Sequence, residues 1–209
     1  MNSTHTQSQS QSQSQSQTRI TLNGNTFTLA LADMGQGRTY LLLHGGAGPG
    51  SVMGLARALS LSNAARALVP THPGFQGQAR PEWLLSVPDL ASAYLSMLEA
   101  MDLKDVIVVG NSLGGWIAGE MATRKSPRVY GGQYFTFDPT LRARLGQIEI
   151  PALVAWGESD RIVDVAYGRE FAESIPGARF VTIPGAGHLP QIEKTAAVVE
   201  LLGSFPAGR

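Results

Sequence analysis

With 209 residues, 43% of them hydrophobic, the chain can bury one sizeable core, and its length favours a single folded domain. Lysine plus arginine balances aspartate plus glutamate at 16 each, which argues against nucleic acid or an anionic membrane surface as a partner. Cysteine is absent, so disulfides and thiol catalysis are excluded, and no apolar run approaches the ~20 residues needed to cross a bilayer.

At the N-terminus, glutamine and serine alternate from Gln7 to Gln17 with no apolar side chain to bury. Ordering such a segment costs entropy that nothing repays, so residues 1–18 are expected to form a disordered Gln/Ser-rich tail. The tail has neither the basic start nor the apolar stretch of a secretory signal, which makes a cytoplasmic location the default expectation. The folded domain is expected over residues 19–209.

From Arg19 onward short apolar runs alternate with amphipathic stretches, the pattern of parallel strands joined by helices. Ile20–Leu22 and Phe27–Leu31 read as an antiparallel pair turning at Asn23-Gly24. Tyr40–Leu43 is a strand running into His44-Gly45-Gly46-Ala47-Gly48-Pro49-Gly50, followed by a helix near Val52–Leu59. Ala65–Val69 is a weaker strand and Pro88–Met101 a helix. Val106–Val109 is a strand running into Gly110-Asn111-Ser112-Leu113-Gly114, with a helix over Leu113–Arg124. Helix Pro139–Leu145, strand Ala152–Trp156, helix Val165–Ser174, strand Arg179–Ile183 and helix Lys194–Leu202 complete the order. The three strong strands are nearly continuous apolar runs, as expected where helices cover both faces of a sheet. Polar motifs sit just beyond their carboxyl ends, where open α/β sheets place ligands.

Gly110-Asn111-Ser112-Leu113-Gly114 is a G-x-S-x-G between strand and helix, the context in which that motif holds a nucleophilic serine on a strained turn. Serine needs a base to remove its proton. His188, in the loop after the last strand, is the candidate, since His5 lies in the tail and His44 and His72 read as structural loop and turn residues. Asp160, in Trp156-Gly157-Glu158-Ser159-Asp160, is the carboxylate expected to orient His188, with Glu158, Asp164 and Glu193 as alternatives. Asp164 also reads as a helix cap. Backbone N–H groups of Leu113 and Gly46 are expected to form the oxyanion hole, Ala47 being second choice to Gly46. Gly45, Ala47, Asn111, Trp116 and Leu189 are the substrate-pocket candidates. No cofactor or metal is expected: the four histidines are scattered, without helical zinc-site spacing.

HGGAGPG, THPGFQGQA, GNSLGG, WGESDRIV and GAGHLPQIE together resemble the α/β-hydrolase family from about Arg19 to Pro206. The resemblance implies an α/β-hydrolase fold: a mostly parallel sheet with helices on both faces. The HGGAGPG loop is similar to those of carbon-carbon bond hydrolases of aromatic catabolism and, less closely, of proline iminopeptidases. Small esters, amides or diketones are the implied substrates. An iminopeptidase would need an acidic anchor for a substrate amine, a role the sequence does not assign to Glu82 or Glu120.

The chain departs from the family between the elbow helix and the strand at Ala152. There members carry a core strand and a helical cap, and here Ser126–Gly146 must serve for both. The cap is therefore expected to be absent or minimal. Either Tyr130–Phe137 supplies the strand, or the sheet closes the gap and Asp160 moves about 4.8 Å toward Ser112. Closure would leave apolar surface for a second chain to cover, which predicts a homodimer. The leading expectation is a cofactor-free serine hydrolase of small molecules. The rival is a non-catalytic binding module or inactive remnant that has lost its cap.

Overall fold

A computed structural model describes residues 15–22, 24–61, 64–124, 126, 128–133 and 139–206, giving only the backbone at 15, 130–133, 139 and 140. In chain order the elements are β1 (Gln15–Leu22), β2 (Asn25–Gly35), β3 (Arg38–Leu43), α1 (Gly50–Ser60), β4 (Ala65–Pro70), α2 (Val87–Ala100), β5 (Val106–Gly110), α3 (Leu113–Ala122), β6 (Val129–Gln133), α4 (Pro139–Leu145), β7 (Ala152–Gly157), α5 (Val165–Glu173), β8 (Arg179–Ile183), α6 (Pro190–Glu193) and α7 (Thr195–Gly203).

The strands form one eight-stranded sheet in the order β1-β2-β4-β3-β5-β6-β7-β8, antiparallel around β2 and parallel from β4 to β8. The chain leaves β3 for β4 on one side and then returns past β3 to β5. Right-handed crossovers in opposite directions put α1 and α2 on opposite faces. Helices α6 and α7 pack on α1, while α3 packs on α2, so each face of the sheet is covered. That covering explains why Leu41–Leu43, Val106–Val108 and Leu153–Trp156 are buried to a residue. The strand order reverses at β3 and β5, and the crevice beyond their carboxyl ends is where such sheets bind ligands.

Local sequence sets the helix starts. Ser86 and Asp89 form a reciprocal capping box at α2, with the Ser86 N–H donating to Asp89 Oδ2 at 3.0 Å and the Asp89 N–H to Ser86 Oγ at 3.2 Å. Asp164 caps α5 by accepting from the Ala166 N–H at 2.6 Å, as expected for it.

Two expectations need revision. The hairpin extends beyond its apolar part: β1 begins at Gln15, and Gln15–Thr18 pair with Ala32–Leu29 of the long strand β2. The tail boundary at Thr18 is therefore too late, because ladder hydrogen bonds satisfy backbone groups whatever the side chains are. The rest of the tail, residues 1–14, lies outside the described residues. In the middle of the chain, β6 (Val129–Gln133) fills the place between β5 and β7. The sheet has not closed over a missing strand, and the homodimer that closure called for loses its ground. Of the expected Tyr130–Phe137 strand, residues 134–137 lie outside the described residues. Among the described residues no cap domain stands between β6 and β7, only α4, whose Leu141 and Leu145 are buried.

Candidate active site

The turn from β5 into α3 is held by close backbone approaches. A Cβ on Gly110 would lie 2.1 Å from Gly114 O, and one on Gly114 would lie 2.0 Å from Leu43 O, so neither position admits a side chain. Between them Ser112 has φ 54° and ψ −120°, a left-handed conformation strained for any residue but glycine. Its side chain does not cap α3. The Leu113 N–H opens the helix and so has no acceptor in a preceding turn, which leaves it and the helix dipole to favour negative charge near Ser112.

The loops after β7 and β8 bring Asp160 to His188. His188 Nδ1–H donates to Asp160 Oδ2 at 2.9 Å, while Asp160 Oδ1 accepts from the Ile162 and Val163 N–H groups at 2.8 and 3.0 Å. Asp160 is 4% exposed and His188 23%, so the carboxylate is shielded while the ring reaches the surface. A carboxylate on Nδ1 leaves Nε2 as the basic nitrogen, the tautomer a general base requires. Of the other acids, Asp164 caps α5, Glu158 accepts from the Gly185 N–H at 3.2 Å, and Glu193 holds the histidine loop.

The Glu193 carboxylate accepts from the N–H groups on either side of His188, at 2.6 Å from Gly187 and 3.1 Å from Leu189. Asn111 adds a tie from the elbow, its Nδ2 donating to the His188 carbonyl at 3.1 Å. The neighbour of Ser112 thus grips the peptide that carries the His188 ring. Ser112 Oγ and His188 Nε2 are not hydrogen-bonded here, and in unliganded hydrolytic sites this contact is commonly long until substrate binds.

The loop after β3 lies on the elbow: a Cβ on Gly45 would be 2.8 Å from Ser112 Cβ. Gly46 and Ala47, beyond it, are exposed. Beneath the loop, His44, His72 and Tyr94 are buried and bonded in series. His44 Nε2 accepts from the His72 backbone N–H at 3.1 Å, which places its proton on Nδ1, and Nδ1–H donates to Gly45 O at 2.8 Å. His72 Nε2–H donates to His44 O at 2.8 Å, leaving Nδ1 to accept from the Tyr94 hydroxyl. The two imidazoles stack with centroids 3.7 Å apart. Burial, aided by the neighbouring His44, holds the His72 pKa down to about 3, and burial also lowers that of His44. Both rings are therefore neutral, and burial raises the Tyr94 hydroxyl well above its ordinary value, keeping it a donor.

The remaining expected pocket residues are spread out. Leu189 and Trp116 are half-buried, the latter packed on the core from α3, and the Asn111 side chain points into the interior rather than toward solvent. Glu120 is 2% exposed and paired with Arg124 at 2.9 Å and with Arg144 of α4, which rules it out as an amine anchor. Among the described residues no three His, Asp or Glu side chains cluster as metal ligands, and no helix is long and apolar enough to cross a membrane. The sequence reading missed Tyr94 and Gln191 altogether. It weighed Glu193 only as a triad acid, although its place five residues after His188 was a signal that it could reach the loop's amides.

Comparison with known proteins agrees with this architecture. A family model described as alpha/beta hydrolase family matches residues 40–143, and one described as alpha/beta hydrolase fold matches residues 122–195. A 2-hydroxy-6-oxo-6-phenylhexa-2,4-dienoate hydrolase of Burkholderia cepacia is 36% identical over 64 residues, which are 31% of this chain and 22% of that protein. A 2-hydroxy-6-oxononadienedioate/2-hydroxy-6-oxononatrienedioate hydrolase of Comamonas testosteroni is 34% identical over 64 residues, again 31% and 22%. The match thus spans under a quarter of these curated relatives. Among solved structures, a predicted CIB-like hydrolase from Thermoplasma acidophilum superposes with a TM-score of 0.77 at 21% identity, covering 91% of this chain and 97% of that one. A thermophilic esterase from Thermogutta terrifontis gives 0.77 at 20% identity, with 90% and 97% covered. A meta-cleavage product hydrolase from Pseudomonas fluorescens gives 0.74 at 20%, with 88% and 95% covered. With the strained elbow, the sheet order and the matched models in agreement, the chain belongs to the α/β-hydrolase family.

Proposed function

We propose that this chain is a cofactor-free serine hydrolase of small esters, amides or carbon-carbon diketones. The observation that carries the reading is the shielded Asp160–His188 pair, tied to Asn111, the residue beside a strained Ser112. In this scheme His188 Nε2 takes the Ser112 hydroxyl proton as Oγ adds to the substrate carbonyl carbon. The Leu113 and Gly46 N–H groups receive the oxyanion. His188 then returns the proton to the leaving group as the tetrahedral adduct collapses to an acyl-enzyme. Water, deprotonated by the same nitrogen, releases the acid and restores Ser112. For a diketone the same addition at a carbonyl precedes cleavage of the carbon-carbon bond, with the proton going to the departing carbon. The names of the curated relatives and of the meta-cleavage product hydrolase support the carbon-carbon class, and that of the thermophilic esterase the ester class. The short passage from β6 to β7 favours small or exposed substrates.

Hydrolysis of p-nitrophenyl acetate by the protein and by Ser112→Ala tests this. The expected outcome is a loss of at least about a thousandfold in the variant. Equal rates in folded samples would remove Ser112 from the chemistry and bring back the binding-module reading.

A further inference from the structure

Between the elbow, α1 and the corner of α6 and α7 lies an interior cavity of ≈ 10 Å³. Its walls include Leu42, Leu55, Val109 and Val198, together with two amide side chains, Asn111 and Gln191, each 5% exposed. Asn111 Oδ1 and Gln191 Nε2 are buried and make no hydrogen bond among the described residues. The orientation of Asn111 is fixed, because its Nδ2 donates to the His188 carbonyl and Oδ1 is therefore the acceptor left over. The Gln191 backbone is held as well, its carbonyl accepting from Thr195 Oγ1 at 2.8 Å.

We infer that one water molecule binds in this cavity, accepts from Gln191 Nε2–H and donates to Asn111 Oδ1, making Gln191 a positioning residue for the His188 loop. A purely apolar void stays dry, but this one presents an unpaired donor and an unpaired acceptor, and buried polar groups without partners are rare. At ≈ 10 Å³ it has room for one water molecule, which excludes a second water or an organic ligand. The bridge closes a ring. Gln191 lies three residues after His188, so the loop is tied to Asn111 once through the His188 carbonyl and once through the water. The tie restricts rotation of the Asn111 amide and thereby the peptide that carries the base. Only the kinetic consequence rests on the hydrolase reading; the water site does not.

A crystal structure that resolves ordered waters tests the site directly. The expected result is a single peak about 2.7–3.2 Å from both Asn111 Oδ1 and Gln191 Nε2, absent from Gln191→Met, a substitution of similar volume without the donor. With p-nitrophenyl acetate, Gln191→Met is expected to lower kcat about tenfold and leave KM within about twofold, since geometry at the reacting centre is what suffers. Because Gln191 acts through Asn111, adding Gln191→Met to Asn111→Ala is expected to cost nothing further, a non-additivity that general destabilisation would not produce. A wild-type cavity without the peak, or additive losses, overturns the inference. A water in place with no hydrolysis by any variant, wild type included, would count against the hydrolase reading and leave the bridge standing.

Discussion

The loop after β3 rests on three buried neutral groups, His44, His72 and Tyr94, whereas the loop after β8 is tied down by two carboxylates, of which Asp160 is shielded and Glu193 lies at the surface. The first lies on Ser112 and the second is bonded to its neighbour Asn111. The first has every ring nitrogen and hydroxyl matched inside the protein, so removing one member strands the others away from water. In the second, solvent can replace the Glu193 oxygens if they are lost. The same geometric task is thus set against very different energetic backgrounds, and mutation can separate them.

The largest effect is expected from His72→Ala. It strands the Tyr94 hydroxyl and the His44 carbonyl, and it leaves a void beside a stacked ring. Unfolding in urea at neutral pH is expected to show a loss of about 4 kcal/mol. A loss below about 1 kcal/mol would mean the network does not support the loop.

Acid sharpens the comparison. Burial lowers the His72 pKa to about 3, so the folded state holds fewer protons than the unfolded chain between that value and the free value near 6.5. Stability is complete above this window and falls as pH drops through it. From pH 7 to 5 His72 alone is expected to cost about 2 kcal/mol, and His44, shifted in the same direction, adds to it. The check is the slope of unfolding free energy against pH, which should flatten in His72→Asn. An unchanged slope would show that His72 is not held neutral. Tyr94→Phe, which removes only the donor to His72 Nδ1, should cost less, about 1 to 2 kcal/mol by the same unfolding measurement.

How far the sequence revealed these arrangements depended on what carries each one. Strands β3, β5 and β7 were legible because both faces are covered and their side chains are apolar without interruption. Ser112 and Asp160 could be named as candidates because each follows such a strand, and His188 because it lies in the glycine-rich loop after β8, a strand that is itself only partly buried. The start of β1 was hidden, since glutamine and serine report nothing about backbone pairing with β2. Strand β6 was ambiguous because Gly131 and Gly132 dilute its apolar pattern. Tyr94 bonds His72 across 22 residues of sequence and sits on a helix whose other inward residues are ordinary core, so no local pattern could single it out.

The smallest change in stability, and the most telling for the surface loop, is expected from Glu193→Gln. The two N–H groups that flank His188 each use a separate carboxylate oxygen, and glutamine offers only one acceptor. Because Glu193 is exposed, water takes the place of the lost acceptor, and unfolding free energy should stay within about 1 kcal/mol of wild type. The loop nevertheless loses one of its two clamps, and displacement of His188 by a fraction of an ångström is enough to slow proton transfer. Hydrolysis of p-nitrophenyl acetate is therefore expected to show kcat lowered about tenfold with KM little changed. A variant as active as wild type would leave Asn111 and Asp160 as sufficient anchors of His188, and the two loops would then both depend on buried groups.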